Sequence, residues 1–450
     1  MRRAHLALTL LALASCERAP RRREAPPVAF DVPAAQAIRD VVAPDVAPDV
    51  APEVGAEPAA PRATTPAVVD LNATPVDRLV GVGDGAVLVR AMNREGRRST
   101  DLIATRLDAD GAPVGVPRLL RRTTGPVVAL DVSARGDDVW IAWGSARPAG
   151  QGRADYLVAA MRATRDLATV ERPITVHDFR AMEGDAAEMA PQAIARLEVG
   201  VIAAPNRGAV VTSSAPFTRC EHGDPERPER TPCRGWTVAR IDAEGHLERH
   251  TEGVLAHTAG PSELTPVGEG FAVAVSSDHV GSHTELYVEA LARGGASPFE
   301  GQTLAHYRDL RLAVSGGSLY VVAQPTEDDM QGSALGHLRA FGAAASSTRV
   351  RPDRYGGEVW PALRSRALRC RAGRPVIALR WAGGSATLDP TAAGGFIRWS
   401  SWVSRRELPG LEGDGPTPPL AFTGRVLVAW DAGGWNRWRC GAGASIVPAS

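Results

Sequence analysis

Asp278, His279, His283 and Glu285 set two imidazoles and two carboxylates within eight residues, DHVGSHTE, between two β-rich runs. Histidines four apart chelate zinc when a helix stacks them. Here Gly281 and the flanking β runs predict a loop, where that spacing has no special meaning. Glu327, Asp328 and Asp329 form an acidic loop that could help bind calcium, given carbonyls or other loops. Asp108-Ala109-Asp110-Gly111 has the start of a calcium loop without its downstream carboxylates, and a hairpin turn accounts for it fully. Cys220, His222 and Cys233 lack a fourth ligand at familiar zinc spacing. No cofactor is therefore expected, with calcium at the acidic loop the one candidate.

Other chemistry is excluded by composition. All 51 basic residues are arginine, so a Walker-type phosphate loop, a Schiff base and a Ser–Lys dyad have no amine to use. No G-x-S-x-G element is present. Fifty-one acidic residues balance the arginines, so no net field favours nucleic acid. Tryptophan is unevenly spread: seven of ten lie between Trp360 and Trp438, namely Trp360, Trp381, Trp399, Trp402, Trp430, Trp435 and Trp438. Packing between repeated units is one use for them. A surface platform for sugar rings or partner side chains is the other, with Trp435 placed in an exposed loop.

At the start of the chain, Arg2 and Arg3 precede an apolar run, Leu6–Leu13, which closes on Leu13-Ala14-Ser15-Cys16. The run is too short for a membrane-spanning helix, which needs about 20 residues. The pattern resembles the signal peptide and lipobox of bacterial lipoproteins. That resemblance implies cleavage before Cys16, lipidation of Cys16, and an anchored life in the cell envelope; Glu17 leans the sorting towards the outer membrane. Residues 1–15 are then the signal peptide. Residues 16–66 hold ten prolines and the repeat VAPDVAPDVAPEV, too few bulky apolar groups to offset ordering entropy. They read as a disordered, semi-stiff linker carrying residues 67–450 away from the lipid.

Within 67–450, a glycine or acidic turn followed by a short β-rich run recurs seven times. The copies start at Gly85, Asp138, Gly208, Gly270, Gly317, Gly373 and Gly424, spaced 47 to 70 residues apart. An apolar stretch precedes each copy. Several are followed by a strand ending in an Asp/Gly turn, as in RLDADG (Arg106–Gly111) and RIDAEG (Arg240–Gly245). Four antiparallel strands a–b–c–d per unit, repeated at this length, predict an all-β protein: a β-propeller of seven four-stranded blades. Ala186–Val199 is the only helical candidate. Residues Ala67–Leu71 could supply the outer strand of the last blade alongside C-terminal strands.

The repeats resemble those of propeller lipoproteins from GC-rich bacteria, in which strand b often ends in tryptophan. Trp143, Trp381 and Trp430 fit that pattern; Ser214, Ser277 and Ala323 depart from it. Long b–c loops are expected at 215–234, 276–285, 324–336, 381–395 and 431–435. With Cys16 set aside, four cysteines remain, and in an oxidising compartment an even number reads as disulfides. Cys220 and Cys233 bracket one polar loop and should pair, leaving Cys370 for Cys440. With catalytic motifs missing, the leading expectation is a non-catalytic binding or scaffold module acting through its b–c loops. Its partners would be the membrane, through lipid, and a protein or envelope polysaccharide. A carbohydrate-binding or carbohydrate-active propeller and a metal-dependent enzyme on the b–c face are the alternatives.

Overall fold

The computed structural model describes residues 76–449, apart from 94–98, 151–152, 180–196, 218–232, 257–259, 268–269, 278–282, 291–301, 306, 326–333, 339–361, 382–383, 393, 412, 414 and 433. All of these belong to one compact unit, Ala67–Ser450. Cys16, the linker, Ala67–Leu71 and Trp360 lie outside the described residues, as does nearly all of the helical candidate. The end of that candidate, from Glu198, is strand.

The unit is a β-propeller, with seven antiparallel sheets among the described residues, six of four strands and one of three. Blade one is β1 (Val76–Val82), β2 (Gly85–Asn93), β3 (Ser99–Leu107) and β4 (Pro113–Thr124). Blade two is β5 (Val127–Arg135), β6 (Asp138–Gly150), β7 (Arg153–Thr164) and β8 (Ile174–Phe179). Blade three is β9 (Glu198–Ala203), β10 (Ala209–Phe217), β11 (Cys233–Ile241) and β12 (Leu247–Ala256). Blade four is β13 (Gly260–Val267), β14 (Gly270–Ser277), β15 (His283–Ala290) and β16 (Gln302–Ala305). Blade five contains β17 (Tyr307–Ser315), β18 (Ser318–Pro325) and β19 (Ala334–Leu338). Blade six has β20 (Leu363–Arg371), β21 (Arg374–Trp381) and β22 (Gly384–Leu388). Next come β23 (Phe396–Ile397) and a single turn of helix, α1 (Trp399–Trp402). Blade seven is β24 (Leu420–Phe422), β25 (Leu427–Asp431), β26 (Gly434–Cys440) and β27 (Ile446–Pro448).

Every one of the seven sequence copies is the second strand of its blade. The cause is local: a tight turn fixes where the strand starts, and period-two alternation fixes which face is apolar. The recurring Asp/Gly turns also have a plain explanation. Asp108 Oδ1 accepts from the backbone N–H of Asp110 (2.9 Å) and Ala112 (2.8 Å), and Gly111 takes φ +74°. Asp242 repeats the device on His246 N–H at 2.7 Å, with Gly245 at φ +88°.

The expectation of seven uniform blades needs two corrections. Blade six has three strands among the described residues, and blade five takes its fourth from elsewhere. In that sheet the order is β19-β18-β17-β23, so β23 lies on the inner side of β17. After β22 the chain runs inward to this edge. The last blade is completed by its own C-terminal strand, β27, paired with β26.

Neighbouring blades share their cores. Trp140 stands between blades two and three, and Trp399, Trp402 and Trp438 fill the core common to blades five, six and seven. The first and last blades meet through side chains. Trp430 Nε1 donates to Asp77 Oδ2 (2.7 Å), and Arg90 both pairs with Asp77 (3.2 Å) and lies 4.8 Å from the Trp430 ring centre. Thr423 Oγ1 donates to the Ala109 carbonyl at 2.6 Å. Cys370 and Cys440 form a disulfide with Cα atoms 5.7 Å apart, tying blade six to blade seven.

Candidate functional site: the axial channel

Counting back four residues from the end of each inner strand, or three in β9 and β24, gives one position per blade. The hairpin registers place Arg78, Asp131, Glu263, Arg311 and Ala367 opposite Val89, Ala142, Ala274, Val322 and Ala378. Gly200 opposite Thr212 and Pro419, whose carbonyl accepts from Trp430 N–H, complete the level. The next residue along is apolar in every blade: Leu79, Val132, Val201, Leu264, Leu312, Leu368 and Leu420. Period two thus sends one face of each inner strand into the packing and leaves the other for a ring around the axis. Two arginines, an aspartate and a glutamate stand in that ring. In blade three the ring residue is Gly200, where a Cβ would come 2.7 Å from Thr212 Oγ1. Register shifts occur in β5, β13, β17 and β20 just before the ring position, and such bulges bend the inner strands there.

A fifth charge enters from the β23–α1 segment. Arg398 donates through Nη1 and Nη2 to the two oxygens of Asp131, at 2.5 and 2.9 Å. Asp131 is 2% exposed and also accepts Val201 N–H at 2.7 Å. Burial opposes the charge on Arg398, but the Asp131 carboxylate outweighs it and holds the guanidinium above its ordinary pKa. Arg311 Nη1 donates to the Ser401 carbonyl (2.6 Å), and the buried Trp402 donates from Nε1 to the Leu312 carbonyl (3.1 Å). β23 pairs Ile397 with Ala313 and Phe396 with Val314. The segment is therefore fastened to blades two and five at the level of the ring.

Glu263 has a different environment. Burial pushes its carboxyl up to about 7, against the pull of Arg398, the Ser401 hydroxyl and Arg311. Glu263 Oε2, Thr265 Oγ1 and Arg398 Nε are buried without a hydrogen-bond partner among the described residues. A comparison within the molecule explains the first two. In blade two, Asp131 and Ser133 cap the inner edge of the next blade, at Val201 N–H and Ala203 N–H (3.1 Å). Glu263 and Thr265 hold the equivalent positions in blade four, but the edge they would cap, that of β17, is already paired with β23. Arg78 is exposed in area, yet burial among protein atoms lowers its pKa. Desolvation is the largest cause, with the Asp131 carboxylate pulling the other way.

The residues singled out in the sequence stand elsewhere. Asp278, His279, Glu327, Asp328, Asp329 and Cys220 lie outside the described residues. Cys233 begins β11. His283 and Glu285 belong to β15, paired with Ser277 and Val275, so the predicted loop ends earlier than expected. Residues 381–395 are not a b–c loop: Trp381 pairs with Gly384 in a tight hairpin, and the rest holds β22 and the path inward. Likewise Asp431 pairs with Gly434. Trp435 is a strand residue in β26, half-buried, its ring centre 4.6 Å from that of Trp430. Among the described residues, no group of three or more His, Cys, Asp or Glu side chains is placed to hold a metal ion. No helix there is long and apolar enough to cross a membrane.

The axial ring escaped sequence reading because its members are single charges 48 to 320 residues apart. A signal was present: an acidic residue in the middle of an apolar run, as in VVALDVSAR and SELTPV, at a fixed count from a tight turn.

No protein-family model matches the chain, and no curated protein is similar to it by sequence. Solved structures do align. Pyrococcus horikoshii acylaminoacyl peptidase is 10% identical with a TM-score of 0.36, over 84% of this chain and 53% of that one. Trypanosoma rangeli sialidase gives 10% and 0.36, over 83% and 53%. Penicillium chrysogenum alpha-L-arabinanase gives 13% and 0.32, over 59% and 76%. The chain thus spans about half the length of the first two.

Proposed function

We propose that the protein is an exported envelope lipoprotein, anchored through Cys16, whose propeller is a non-catalytic binding module. The bidentate Arg398–Asp131 pair supports the non-catalytic part of this reading. Most enzymes that cleave glycosidic bonds use two carboxyl groups facing each other across a pocket, about 5–9.5 Å apart. Among the described ring residues only Asp131 and Glu263 carry carboxyls. The first is committed to Arg398 and to the Val201 N–H, and the second is packed behind the β23–α1 segment. The protein's own β23–α1 segment reaches the ring, and we assign recognition to the rim. Carbohydrate binding is the second reading, favoured by the half-buried Trp435 on Trp430 with Arg90 alongside.

Anchoring is tested by fractionation. Cys16→Ser should move the protein out of the salt-washed membrane fraction, and mass spectrometry should find diacylglycerol on Cys16 of the parent chain. A Cys16→Ser chain that still fractionates with membranes, together with an unlipidated parent, contradicts the anchor.

A further inference from the structure

Blade one carries an outer strand unlike an ordinary solvent-facing edge. Of the five exposed large apolar side chains among the described residues, three lie on β4: Val114 (40%), Val116 (88%) and Leu119 (49%). The same strand holds Arg118, Arg121 and Arg122 and no acidic residue. Arg122 pairs with Asp101 at 2.8 Å. Arg118 and Arg121 are exposed and have no carboxylate partner among the described residues.

The register shows why Val116 stands out. Arg118 pairs with Ala104 and Val114 with Arg106, so Gly115, Val116 and Pro117 together oppose the single residue Thr105. Gly115 takes φ +74°, and a Cβ placed there would meet nothing within 4 Å. The strand bulges into open solvent with Val116 at its crest.

We infer that the β4 edge is a docking surface for an anionic membrane. Its cations match phosphate headgroups, and its apolar crest can enter the headgroup boundary while the arginines stay at the charged level. An added peptide strand fits this edge less well. Strand addition needs a regular row of free backbone donors, whereas the bulge breaks the row and Pro117 has no N–H. The inference does not rest on lipidation of Cys16. It gives the propeller a second, reversible contact, made by the first blade after the linker in chain order.

The test is vesicle flotation of the full chain carrying Cys16→Ser, with phosphatidylcholine vesicles with and without phosphatidylglycerol. Residues 1–75 are the same in every sample, so their contribution cancels in the comparison. The Cys16→Ser chain should float with anionic vesicles and be released by salt. Arg118→Gln/Arg121→Gln should reduce partition by about 25-fold, roughly fivefold for each arginine. Val116→Ser should weaken it, and Val116→Trp should strengthen it. Circular dichroism melting serves as the control for folding; the sites are exposed, so melting should not change. Overturning results are a Cys16→Ser chain that stays soluble, substituted chains that float as well as it does, or release by a soluble acidic peptide but not by salt. Loss of the Cys16 anchor in cells with vesicle binding intact would instead count against the anchor alone.

Discussion

Arg398 holds Asp131 through both terminal guanidinium nitrogens across a sequence separation of 267 residues. This one pair joins the inner strand of blade two to a segment that leaves blade six, so it couples distant parts of the ring at the axis. Its energetics follow from burial. Asp131 is 2% exposed, and the Arg398 side chain 25%. Removing one partner leaves the other charge stranded, at a cost of about 3–5 kcal/mol. Arg398→Met should therefore lower the unfolding free energy by about 3 kcal/mol in urea melts. The double variant Arg398→Met/Asp131→Asn should recover most of that loss, because Asn keeps an acceptor for Val201 N–H and carries no charge. Additive losses would show that the two residues act separately.

Glu263 makes stability depend on pH in an unusual direction. Its carboxyl is raised from 4.5 to about 7 in the folded chain. Below pH 4.5 it is protonated whether folded or unfolded. Between 4.5 and 7 the folded state holds the proton more tightly, so stability falls as pH rises, by about 3 kcal/mol in total. Above 7 the penalty is constant. Glu263→Gln should abolish this slope, so the variant gains on the parent chain across that window and keeps its lead at higher pH. Parallel melting profiles for the two chains from pH 4.5 to 7 would refute the assignment.

The disulfide closes a 70-residue separation between blades six and seven. In the chain-entropy account a loop of that length contributes about 4 kcal/mol. Cys370→Ser/Cys440→Ser should lower stability by about that amount, with hydrogen exchange quickening first in β20 and β26. Unchanged exchange in those strands would mean that packing alone holds the two blades together.

How much of this was legible in the sequence depended on range. The seven second strands were readable because turn and alternation lie within ten residues of each other, as in GDDVWIAWG around Asp138. The Cys370–Cys440 pair was readable because so few cysteines leave few pairings. The inward path of Phe396–Trp402 was not readable. Its two-residue strand has no periodicity to detect, and its tryptophans serve a core built from three blades. Arg398 looked like one of many arginines in a chain that has no lysine. Only the aligned hairpins show that Arg78, Asp131, Glu263 and Arg311 share one level. The b–c loops were overestimated in blades six and seven, where tight hairpins at Trp381–Gly384 and Asp431–Gly434 replace them.

The most direct test of a non-catalytic axis is turnover. The purified chain is incubated with a panel of envelope polysaccharides and aryl glycosides, and new reducing ends and unsaturated products are both measured. The expected result is no product above that of heat-inactivated protein, at any pH from 4.5 to 8, even for a glycan whose binding quenches tryptophan fluorescence. Steady product formation that Glu263→Gln abolishes, with the chain still folded and glycan binding intact, would contradict it and make the axis an active site.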